Sequence, residues 1–94
     1  MKNLVFSNCK SEEDIRAIIE KALEYDTVVE NDEAARQWFM DAGIDGDVTT
    51  HVITSTHVSV WNEEYQGEET FSVIVKEHFV DAGSEDYIYS YSIQ

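Results

Sequence analysis

Proline is absent from these 94 residues, cysteine occurs once, glycine four times, and lysine and arginine together only six times. Each shortage excludes something. A lone Cys9 cannot form an intrachain disulfide, so a reducing, cytoplasmic setting is the simpler expectation. No apolar run approaches the ~20 residues that span a bilayer. The opening MKNLVFSNCK has an apolar core of only Leu4, Val5 and Phe6, too short for a signal peptide. Six cations stand against 20 acids, a formal charge of −14 that repels DNA, RNA and anionic membranes. No glycine-rich phosphate loop, GxSxG elbow or HExxH helix occurs. The expectation is a non-catalytic protein with no cofactor, whose natural partners carry positive charge.

What is present supports a packed core. Hydrophobic residues make up 43% and aromatic residues 12%, which argues against disorder and for one domain over 1–94. Leu4, Val5 and Phe6 suit a short first strand. Ser11 precedes Glu12, Glu13 and Asp14, an N-terminal capping pattern, and Ile15, Ile18, Ile19, Ala22 and Leu23 follow at helical spacing. A second helix is predicted from Asn31, with Ala35, Trp38, Phe39 and Ala42 on its apolar stripe. Residues 25–30 (YDTVVE) between them read as a loop or a short extended piece.

From Val48 the periodicity changes to two. Val48, Val52, Val58 and Val60 share one parity; Phe71, Val73, Val75 and Phe79 repeat the pattern, as do Tyr87, Tyr89, Tyr91 and Ile93. Connectors at 62–69 and 81–86 contain Gly67 and Gly83 and have hairpin lengths. The fold expected is α+β: a three- or four-stranded antiparallel sheet ending in a C-terminal β-meander, with both helices packed on one face.

DAGIDGDVTT, starting at Asp41, looks like a calcium loop. Yet position 3 is Gly43 and position 12, where an EF-hand places a bidentate Glu, is Val52. Gly43 as a helix stop and Asp45-Gly46 as a turn explain the same residues. His51, His57 and His78 would point outward on one surface if the valine and phenylalanine faces both turn inward. His51 and His57 are still ~20 Å apart along an extended strand, so no metal is assigned to them. Cys9 has no partner base in the sequence.

Charge is therefore the functional indication. Twelve acids fall between Glu12 and Asp47, and four crowd the first hairpin tip. Helix starts account for Glu12, Glu13, Asp14, Asp32 and Glu33 but not for the rest. Glu20, Glu24, Glu30, Asp45, Asp47, Glu63, Glu64, Glu68 and Glu69 are the candidate contact charges, with Trp61 and Tyr65 as apolar anchors. Such a surface suits the basic groove of a nucleic-acid-binding protein or nuclease, in competition with DNA or RNA. The composition is similar to that of small acidic inhibitors, namely phage anti-restriction and anti-CRISPR proteins and nuclease immunity proteins. The alternatives are an acidic adaptor or structural domain with a solvated coat, and a calcium-binding module on Asp41–Asp47. An exposed tyrosine stripe at Tyr87, Tyr89 and Tyr91 would also fit a homodimer.

Overall fold

A computed structural model of the protein describes residues 4–80 and 86–94. Its elements run α1 (Glu12–Ala22), β1 (Thr27–Val29), α2 (Asp32–Asp41), β2 (Val48–Asn62), β3 (Gly67–Val80) and β4 (Tyr87–Ile93). The class is α+β. The four strands form one sheet in the order β1-β4-β3-β2, in which β2, β3 and β4 make an antiparallel meander. β1 joins β4 in parallel, so the sheet is mixed rather than wholly antiparallel. The β3–β4 connector expected around Gly83 lies mostly outside the described residues, as do Asp81 and Glu85.

Both helices start where the sequence indicates. The Ser11 side chain accepts a hydrogen bond from the Asp14 amide, and that of Asn31 accepts from the Ala34 amide. α2 ends in a Schellman motif: the Ile44 amide donates to the Phe39 carbonyl and the Gly43 amide to the Met40 carbonyl, each at 3.0 Å. Gly43 sits at φ +75°, a left-handed conformation that a side chain would strain. Ile44 then packs beside Phe39, completing the apolar contact of that motif.

Two expectations need correction. Leu4 to Phe6 is not a strand; the edge beside β4 is taken by Thr27–Val29, while Leu4 and Phe6 pack against the α1 core. The helices do not share a face of the sheet. Ile15, Ile19 and Leu23 of α1 bury Val58, Val60, Val73 and Val75, whereas Ala35 and Phe39 of α2 bury Val80 and Ile88. Val73 and Val75 differ in parity from Val80 along β3, so the two cores lie on opposite sides.

A β-bulge explains how β2 serves both. The register shifts between Val52 and Thr54, so Ile53 is an extra residue without an opposite number on β3. Val48, Thr50 and Val52 pair with Val80, His78 and Lys76 on the α2 side. Thr54, Thr56 and Val58 pair with Val75, Val73 and Phe71 on the α1 side. Residues of one sequence parity thus change faces midway along the strand. The product is long: 51 × 22 × 17 Å, with a radius of gyration of 15.4 Å against ~12 Å for a compact chain of this length.

Candidate functional site

The hairpin joining β2 and β3 is organised by Asn62. Its Oδ1 accepts from the Glu64 amide at 2.9 Å, and its Nδ2 donates to Glu69 Oε2 at 3.3 Å. The Gln66 backbone, at φ +51°, completes the reversal. A Cβ added at Gly67 would sit 3.3 Å from the Tyr65 ring, so the absent side chain leaves room for the ring to lie against the strand start. Partial desolvation and then the Glu69 carboxylate push the Tyr65 phenol above its ordinary pKa.

This tip forms one wall of a cleft of about 760 Å³, with the N-terminal end of α1 opposite. Four acidic residues, Glu12, Glu63, Glu64 and Glu69, line it, with Lys10 as one cation and Phe71, on the α1 face of the sheet, as an aromatic residue. Trp61 is 55% exposed, large for a residue with so much apolar area, and its pairing with Glu68 puts the ring on the other face of the same hairpin. Cys9 also lines the cleft; desolvation first and Asp14 second raise its pKa, which keeps it a thiol and disfavours nucleophilic chemistry. The cleft can accept a cationic group paired with its carboxylates.

The other candidate charges are spread out. Glu68 leaves the hairpin on the opposite sheet face from Glu69, paired with Trp61 across the strands. Glu20 and Glu24 are exposed on and just after α1, where the Tyr91 hydroxyl donates to Glu20 Oε1 at 2.9 Å. Desolvation and that bond raise the Tyr91 pKa. Glu30 lines a second groove of about 580 Å³ beside Asp32, Glu33, Arg36 and Lys76. Asp45 and Asp47 are exposed at the start of β2, ~46 Å of strand from the tip. Asp41 accepts from Gln37 Nε2 at 2.8 Å, a bond within α2.

The three histidines do not share a surface, contrary to expectation, because the bulge at Ile53 places His51 and His57 on opposite faces. His78 is fully buried: its Nδ1 meets Thr50 Oγ1 at 3.0 Å and its Nε2 meets Ser90 Oγ at 2.8 Å. Desolvation lowers its pKa; Asp32, 4.0 Å away, opposes this, and Lys76, which binds Asp32 at 3.3 Å, reinforces it. Among the described residues no group of three His, Cys, Asp or Glu side chains gathers closely enough to hold a metal ion.

Sequence reasoning missed an aromatic row on the α1 side, beyond the end of that helix. His51 meets Phe79 edge-on at 5.2 Å, and Phe79 meets Tyr87 at 5.5 Å, across three adjacent strands. Tyr87 at its end is half exposed. The Tyr89 hydroxyl donates to Glu77 at 3.4 Å, and desolvation followed by Glu77 raises its pKa. Strand parity marks Phe79 and the tyrosines as one face each, but only the cross-strand register joins them.

No helix among the described residues is long and apolar enough to cross a membrane. No family model, curated protein or solved structure matches this chain.

Proposed function

We propose that this chain is a small cytoplasmic binding protein that inhibits or masks a basic, nucleic-acid-binding protein by occupying the surface its DNA or RNA would use. The observation that carries the reading is the hairpin end, where Glu12, Glu63, Glu64 and Glu69 line the cleft and the exposed Trp61 stands beside Glu68 on the other sheet face. Carboxylates there and at Asp45 and Asp47 lie near the two ends of an elongated body, a spacing suited to tracking a basic groove. Long-range attraction speeds capture, and the indole supplies the apolar contact that charge alone lacks.

The test is capture from lysate at about 0.1 M salt, where exposed charges interact over ~10 Å, followed by elution with duplex DNA or with RNA. A nucleic-acid-binding protein released by either polymer is the expected result. A specific partner that resists both but leaves in high salt would refute mimicry. Reversing Glu63, Glu64, Glu68 and Glu69 to Lys should weaken capture at least ~10-fold, since each lost charge pair removes up to ~1 kcal/mol. Unchanged capture would remove the hairpin tip from the interface.

A second reading, an acidic adaptor without mimicry, is favoured by the His51–Phe79–Tyr87 row, which offers aromatic rather than charged contacts. Substituting Phe79 and Tyr87 by Ser separates the two, because only an adaptor bound through that row would lose its partner.

A further inference from the structure

β2 is an edge strand of 15 residues, and among the described residues it pairs only with β3. Its sequence, VTTHVITSTHVSVWN, contains no Asp, Glu, Lys or Arg in a chain with 26 such residues. Edge strands are ordinarily protected by charge, proline, shortness or a bulge. Here only the bulge at Ile53 is present, and it leaves Thr54–Asn62 as an uninterrupted ladder.

We infer that this run is a self-association surface: two copies pair their β2 edges antiparallel about a two-fold axis at Val58, making one continuous eight-stranded sheet. The occupant follows from charge. A strand built to receive a basic segment would carry some of the chain's 20 acids, and this one carries none. For a copy also at −14, the neutral edge is where approach meets least local repulsion. The pairing is also self-complementary. It sets Val58 against itself and Thr56 against Val60, and such β-branched cross-strand pairs favour sheets. Centred on Val58, the ladder stops at the bulge and places Glu63 and Glu64 opposite Ile53 and Val52 of the second copy. No acid then faces an acid. His57 lies opposite Ser59 of the second copy, and both side chains are exposed in the single chain. This inference is independent of the basic partner.

Sedimentation equilibrium of the whole chain tests it. At about 0.1 mM protein, the mass should approach twice 10.8 kDa, and dimerisation should strengthen as salt screens the repulsion between copies. His57→Glu with Ser59→Glu puts two like-charged pairs across the axis and should weaken the dimer at least ~10-fold. His57→Glu with Ser59→Lys turns the same pairs attractive and should restore it. Gln37→Glu with Met40→Glu, on exposed α2 positions, adds charge elsewhere and should leave the dimer largely intact. A wild-type monomer at high salt would overturn the inference, as would a Glu/Glu variant that dimerises normally or a Glu/Lys variant that does not recover. Amide exchange of the unmodified protein gives a reading that no substitution can disturb. Protection of the outer amides of Thr54–Asn62 should rise with protein concentration, and equal exchange at about 2 µM and 200 µM would also overturn it.

Discussion

His78 is the residue with the most to lose from a change of conditions. Two hydroxyls satisfy its ring nitrogens in either neutral tautomer, so hydrogen bonding does not require a charge. Burial holds its pKa below the ordinary 6.5, and the unfolded chain therefore takes the proton first as pH falls. The native state keeps its full contribution from His78 above about pH 6.5. It loses that contribution progressively below, until pH has passed the folded value. Denaturant titrations between about pH 7.5 and pH 5.5 should show falling stability, in a window above most carboxylate titration. The decline should be much flatter in His78→Gln. A slope equal in both proteins would assign it to other groups. The sequence marks His78 only as one of three strand histidines. Its burial depends on Ser90 and Thr50 arriving from neighbouring strands, which no local pattern records.

At the scale of elements, helices were the most legible because their determinants are local. Ser11 and Asn31 cap the turns that follow them, and Gly43 stops α2 for a reason contained within six residues. β2 was half legible. Its period of two is plain, but Ile53 adds one residue, so equal parity no longer means equal face. That single residue explains why the histidines were expected on one surface. The helices were expected together from the fold class alone, although Val80 already differs in parity from Val73 and Val75 along the regular β3. The candidate carboxylates were readable as charges, whereas the cleft was not, since it forms only when α1 packs beside the distant hairpin. Deleting Ile53 provides a direct check. Because Val52 and Thr54 already pair with adjacent residues of β3, their joining restores a regular ladder with every side chain on its present face. The deletion should remain folded, within about 1–2 kcal/mol of the parent by denaturant titration, as Ile53 is partly exposed and contributes limited burial. Wholesale unfolding would mean that the bulge twists the strand in a way both cores need.

The whole molecule must hold together against its own charge. With −14 distributed over 94 residues, self-repulsion favours the more expanded unfolded chain, and salt weakens that repulsion. Thermal stability should therefore rise on going from about 10 mM to about 0.3 M sodium chloride, over which the Debye length falls from ~30 Å to several ångströms. A flat or falling melting temperature would show that local ion pairs such as Lys76–Asp32 outweigh the net charge. Salt should act oppositely on the two proposed associations, loosening capture of a basic partner and tightening the pairing of copies.

The two cores on opposite faces share strands but have no buried residue in common. Modest changes of volume, Ile19→Val in one and Phe39→Leu in the other, should then add within ~0.5 kcal/mol in a double-mutant cycle. A larger coupling would mean that the sheet transmits strain between its faces. Additivity has a hereditary meaning. Variation that reshapes the hairpin end need not be compensated beneath α2, so lineages descending from this chain can alter what one end recognises while inheriting the other unchanged.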